Sequence, residues 1–130
     1  NLRIYAVFDE NELDTRFIKS NIIRYINRKP IEIHSDKLMD FMYMGDLVRL
    51  VEYFIESPSP PKEVDCSYNT TLSLSEIAEH INQLGSHRVS VSIGNQKQDD
   101  YFSAEKNLPI ETIGLLEGMR RVYTALKCGE

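Results

Sequence analysis

Few residues in this chain have the types and spacing that chemistry needs. Asp9, Glu10, Glu12 and Asp14 form an acidic cluster just before a helical pattern. A divalent cation is one reading of that cluster and a solvated loop the other. His34, His80 and His87 stand far apart, with no carboxylate or cysteine at ligand spacing. They read as surface residues rather than as metal ligands or acid–base groups. The six glycines are scattered, and none forms the glycine-rich turn that cradles a dinucleotide. Asp40 is the local anomaly, because it sits between Met39 and Phe41 on a strand otherwise made of Met, Phe and Tyr. A carboxylate there needs a partner, since burying one alone is costly.

Composition narrows the classes further. At 130 residues the chain is one domain or a piece of one. An apolar fraction of 42% supplies a core, and a net charge of −5 argues against a nucleic-acid partner. No apolar run reaches membrane-spanning length and no secretory pattern opens the chain, so no membrane partner is expected. Two cysteines, Cys66 and Cys128, are too few for a disulfide framework. Cys66 reads as a small buried apolar residue and the compartment as reducing cytoplasm. Asn69-Thr70-Thr71 fits a glycosylation acceptor, a motif common by chance.

Strand and helix patterns alternate, which favours α/β layering. Leu2–Phe8 reads as one strand apolar on both faces, as in a covered parallel sheet. Phe17, Ile18, Ile22, Tyr25 and Ile26 mark a helix over about 15–27, with Asp14 as N-cap and a Leu13–Ile18 staple. Pro30 ends it before a short strand. Met39–Met44 reads as a strand that turns at Gly45. Asp46 then caps a helix whose buried face is Leu47, Val48, Leu50, Val51, Phe54 and Ile55. The methionines Met39, Met42 and Met44 read as core. Ser73-Leu74-Ser75-Glu76 is a capping box, with Leu72 and Ile77 as staple, Ile77, Ala78, Ile81 and Leu84 inward, and Gly85 closing the helix as C′. Val89–Ile93 alternates as a strand covered on one face, and 103–108 forms a helical turn. The last helix spans about 112–126, with Leu115, Leu116, Met119, Val122, Tyr123 and Leu126 inward.

Several of these segments carry a resemblance. Leu2-Arg3-Ile4-Tyr5-Ala6-Val7-Phe8 resembles the strand Leu-Arg-Leu-Phe-Asn-Val-Tyr of the extended short-chain dehydrogenases/reductases. These are the NAD-dependent epimerases, dehydratases and reductases of nucleotide sugars. Lys29-Pro30-Ile31, Asp40-Phe41-Met42-Tyr43 with Asp46-Leu47, and Tyr68-Asn69 follow in the family's order. Ser73-Leu74-Ser75-Glu76-Ile77 and Leu116-Glu117-Gly118-Met119 with Tyr123 complete the series. The resemblance implies an α/β fold: the C-terminal part of a Rossmann-type protein of this family, with the last sheet strands plus a small substrate-binding lobe over 1–130. Tyr25 and Lys29 have the spacing of the family's Tyr-x-x-x-Lys pair but lie downstream of its place, and read as coincidence.

For the site, the resemblance implies a nucleotide-sugar substrate near the loop after the first strand. Arg16 would meet phosphate, Phe17 the base and Asn21 a sugar hydroxyl, against the plainer reading of a surface arginine, a core phenylalanine and a solvated amide. Four positions depart from the family pattern: Ala6 for Asn, Asp9-Glu10 for Gly-Pro, and Met39 for the diphosphate-binding Arg. Lys37 or Arg16 would then supply the missing charge. NAD or NADP is implied for a longer protein and none for these residues alone, which are expected to be inactive. The departures favour an alternative, a non-catalytic binding or interaction domain of the same descent. A cut sheet edge implies self-association, with the chain expected as a homo-oligomer.

Overall fold

The computed structural model describes residues 1–103 and 106–128. Among them run β1 (Leu2–Ile4), β2 (Val7–Phe8), α1 (Phe17–Ile26), β3 (Ile31–Ile33), β4 (Leu38–Met39), β5 (Met42–Tyr43) and α2 (Met44–Glu56). Then come β6 (Val64–Cys66), β7 (Leu72–Ser73), α3 (Leu74–Ile81), β8 (Val91–Ile93) and α4 (Gly114–Cys128). The strands pair two by two: β1 with β6, β2 with β5 and β3 with β8 in parallel, and β4 with β7 antiparallel. Parallel pairs joined through helices are the mark of α/β layering.

The main core lies where α1, α3 and α4 meet β2 and β3. Ile18, Ile22, Tyr25, Ile77, Ile81, Met119 and Val122 are buried there with Phe8, Ile31 and Ile33. A smaller cluster of Met42, Leu50, Val64 and Cys66 lies under α2. Gly118 is what lets α4 approach β5. A Cβ there would stand 2.8 Å from Tyr43 Cβ and 3.0 Å from the Phe8 ring.

Several boundaries differ from the sequence reading, each for a physical reason. The first strand breaks into β1 and β2, which follow different partners, and Ile4 is 49% exposed. It is therefore not covered on both faces. Asp14 does not cap α1. Its carboxylate pairs with Lys19 Nζ at 2.8 Å, Arg16 occupies the N-cap, and Leu13 lies exposed without stapling. Arg28 closes α1 in a left-handed conformation (φ 58°), with Lys29 N–H on Arg24 O and its own N–H on Tyr25 O. This is the Schellman arrangement. Met39–Met44 splits around Asp40 into β4 and β5. Met42 is core, whereas Met44 is exposed. α2 starts at Met44, before Asp46, and of its predicted apolar face only Leu50 is fully buried. Val48, Val51 and Ile55 form a second apolar stripe that stays exposed.

α3 carries the predicted capping box: Glu76 N–H donates to Ser73 Oγ, and Ser73 N–H donates to Glu76 Oε1. It ends at Ile81 rather than at Gly85. The Asn82 side chain exchanges two hydrogen bonds with Val89 and closes the helix there. β8 is shorter than predicted and lies outside β3, so Val91 and Ile93 are exposed. Leu116 on α4 is likewise exposed. The predicted helical turn over 103–108 lies partly outside the described residues, and 106–108 is irregular. Cys66 is buried as expected, which raises its thiol pKa. No helix among the described residues is long and apolar enough to cross a membrane.

Three buried aspartates hold these pieces together. Asp40 accepts from Thr71 Oγ1 at 2.6 Å, Ser103 N–H at 2.6 Å and Lys106 Nζ at 2.9 Å. Asp65 in β6 accepts from the Ser103 hydroxyl and the Arg3 guanidinium, which hold its carboxyl below the usual carboxylate range. Asp46 reaches across from α2 to the start of α4. It accepts from Ile113 N–H at 2.9 Å, Gly114 N–H at 3.2 Å and Tyr68 Oη at 2.5 Å.

Removing the Asp40 carboxylate leaves the Lys106 ammonium and two other donors without their shared acceptor. Asp40→Ala is expected to cost about 3 kcal/mol. Urea unfolding at neutral pH measures it, and a loss below about 1 kcal/mol would show that the network is not a major anchor.

Candidate functional site

One cleft of about 780 Å³ gathers the chain's candidate ligand-binding side chains. Its floor is the β1–β2 junction at Tyr5, Ala6 and Val7, and one wall is the segment leading into α1. The opposite wall comes from the turn after β3, with His34, Ser35 and Lys37, and from Met39 of β4. Gln98 and Tyr101 close the third side.

Arg16, Phe17, Lys37 and Met39 all line this cleft, although they are up to two dozen residues apart. The parallel β2–β5 pairing brings the two stretches together. Phe17 is half-buried and stacks on Phe41, with ring centroids 6.0 Å apart and planes 23° apart. Arg16 is exposed. As the N-cap it contributes no side-chain hydrogen bond to α1, so its guanidinium serves no helix-capping role. Lys37 Nζ donates to Gln98 Oε1 at 3.0 Å and thereby ties the two rims.

Asn21 does not line the cleft. Its amide donates to Phe17 O and Glu32 O at 3.1 Å and accepts from Glu32 N–H at 2.9 Å. It is 2% exposed and clamps α1 to β3, which leaves it a structural residue rather than a sugar contact. Tyr25 is equally committed. Its hydroxyl donates to His87 O at 2.7 Å and accepts from Gly85 N–H at 2.9 Å. His87 is therefore no surface residue: its ring stacks on Tyr25 at 4.1 Å and its Nε2 meets Tyr25 O at 2.8 Å.

Sequence reasoning missed Tyr5, Tyr101, His34, Gln98 and Glu12 as cleft residues. Tyr5 and Tyr101 lie 96 positions apart and meet at 5.2 Å between ring centroids (101 − 5 = 96). The Met39–Tyr101 bridge, with Asp40 N–H on Tyr101 O and Tyr101 N–H on Leu38 O, makes that meeting. No local signal reports such a contact.

Glu12 is not part of a solvated loop. It is half-buried in the cleft wall, and its Oε1 is buried without a hydrogen-bond partner. Burial pushes its carboxyl up to about 7, helped by the charge of Asp9, while the Lys19 backbone N–H, Arg16 and the Lys19 ammonium pull it down. The acidic stretch forms no metal site: among the described residues no group of three or more potential ligands could hold an ion.

No protein-family model and no curated protein matches this sequence. Solved structures do match its fold. UDP-glucuronic acid 4-epimerase from Bacillus cereus, in complex with UDP-glucuronic acid and NAD, aligns over 99% of this chain at 16% identity and a TM-score of 0.74. An NAD-dependent NDP-hexosamine 5,6-dehydratase of tunicamycin biosynthesis, TunA, aligns over 98% at 16% identity and 0.77. UDP-N-acetylglucosamine 4-epimerase from Bacillus cereus aligns over 100% at 18% identity and 0.76. This chain spans 45–46% of the length of those three proteins.

The folded-state value of Glu12 lies above its ordinary 4.5, so the folded chain favours the neutral carboxyl. Ionising it costs stability as pH rises from 4.5 through about 7, and the cost is complete above that. Glu12→Gln is therefore expected to raise the melting temperature more at pH 8 than at pH 5. Equal gains at both pH values, by thermal denaturation, would show that Glu12 ionises freely. The three parallel pairs, the helices between them and the alignment over nearly the whole length give this chain the fold of the C-terminal part of the Rossmann-type extended short-chain dehydrogenases.

Proposed function

We propose that this chain is the substrate-binding part of an NAD(P)-dependent nucleotide-sugar epimerase, dehydratase or reductase. The observation that carries the reading is the cleft itself. It combines two cationic side chains, Arg16 and Lys37, with aromatic walls from Phe17 and Tyr101. A diphosphate needs the first and a base the second. The fold likeness supports the same reading, since the similar structures include proteins holding UDP-glucuronic acid and NAD.

The described residues do not fit a dinucleotide. Their glycines make no phosphate-cradling turn, and the Tyr25 hydroxyl is held by backbone groups. Hydride transfer is the cofactor's chemistry, so it belongs to residues outside these 130. What this chain does is bind: Arg16 and Lys37 hold the diphosphate, and Phe17 holds the base. Met39 stands where the resemblance places an arginine, which favours a second reading, a binding domain without catalysis. A glycine-rich turn upstream in the reading frame separates the two readings.

Titration calorimetry of the full-length protein with UDP-, GDP- and dTDP-sugars tests the proposal. At least one is expected to bind, and Arg16→Ala or Lys37→Ala to weaken it about tenfold, the value of one charge-assisted contact of about 1.4 kcal/mol. No binding by any of them sinks the nucleotide-sugar reading.

Self-association is the expected behaviour of the 130-residue chain alone. Among the described residues β1 pairs only with β6, and Ile4 stands exposed beside its other edge. Sedimentation equilibrium at high concentration is expected to show a dimer or larger species. A clean monomer would remove the edge-pairing idea.

A further inference from the structure

Glu12 has a feature that the cleft's other polar residues do not share. Its Oε1 is buried, and no described group donates to it. The nearby Lys19 ammonium is already committed, at 2.7 Å to Glu12's own backbone carbonyl and at 2.8 Å to the Asp14 carboxylate. A buried acceptor without a donor is costly, so the arrangement is complete only when something from outside supplies one.

The inference rests on the nucleotide-sugar reading, which limits what that donor is. A diphosphate accepts without donating, so it cannot satisfy an unpartnered acceptor oxygen; it belongs against Arg16 and Lys37. The donors left in such a ligand are the base N–H and the sugar hydroxyls. The chain that follows Glu12 lines the cleft with Leu13, Phe17 and Ile18 as well as Thr15 and Arg16. Its apolar and aromatic side chains suit the flat face of a base better than a hydroxyl-rich sugar.

We infer that Glu12 reads the base, accepting a hydrogen bond from a ring N–H. Uracil, thymine and guanine offer that ring N–H on the pairing edge, and methylating the nitrogen removes the bond. In the neutral carboxyl one oxygen carries the proton and the other still accepts, as the amide oxygen of glutamine does; ionisation makes the acceptor stronger.

The test uses the full-length protein and the tightest-binding of UDP, dTDP and GDP, beside the same nucleotide methylated on the ring nitrogen. Wild type is expected to bind the methylated form about tenfold more weakly. Glu12→Ala is expected to bind the unmethylated nucleotide about tenfold more weakly and to lose the discrimination. Glu12→Gln is expected to stay within about threefold of wild type, because its amide oxygen replaces the acceptor. Equal binding of both nucleotides by wild type overturns the inference, and that result stands even if Glu12→Ala fails to fold. An alanine variant that weakens only the nucleotide sugar and not the free nucleotide overturns it too, by assigning Glu12 to the sugar. If wild type binds no nucleotide or nucleotide sugar at all, the parent reading falls and this inference with it.

Discussion

The buried carboxylate of Asp40 is the constraint on which the rest of the structure depends. It sits between two short strands that diverge, β4 toward β7 and β5 toward β2, so the backbone around it cannot complete one continuous ladder. Asp40 and its neighbour Asp65 gather the donors of Thr71, Ser103, Lys106 and Arg3. An ionised group 3% exposed persists only with such a shell. The shell draws on three separate parts of the chain, so it fixes their relative positions as well as neutralising a charge. The loop that carries Tyr101 into the cleft is held by the same contacts.

Asp46 plays a matching part six residues on. An aspartate at the start of a helix ordinarily caps that helix. Here it satisfies the N–H groups of Ile113 and Gly114 instead, at the start of α4. Its second oxygen takes the Tyr68 hydroxyl, and burial and that bond push the Tyr68 pKa well above its normal value. Tyr68 in turn accepts the Tyr43 N–H. One carboxylate therefore joins the beginnings of two helices, and close packing at Gly118 seals α4 onto β5. These are polar specifications laid over an apolar core that by itself would tolerate other registers.

The cleft inherits its chemistry from this frame. Its cations come from segments on opposite sides, Arg16 before α1 and Lys37 after β3, and neither is consumed by a carboxylate bonded to it among the described residues. The acid in the same cleft, Glu12, has its carboxyl pushed up to about 7 by burial. A site of this composition favours a ligand with an anionic centre and a flat end.

The sequence by itself determined the elements whose cause is local. The capping box at Ser73, the stripe of Ile18, Ile22 and Tyr25 and the buried Cys66 all stand where their residues place them. It also placed Arg16, Phe17, Lys37 and Met39 near one another through a family likeness. Tertiary structure alone decided which side chains were already spent. Asn21 looks available for a sugar and Asp46 looks like the cap of its own helix, yet Asn21 is spent on Glu32 and Asp46 on Ile113 and Gly114, 11 to 68 positions away. Glu12 looks solvated and is half-buried. Hydrogen-bond saturation and desolvation depend on distant chain segments, and spacing along the chain does not report them.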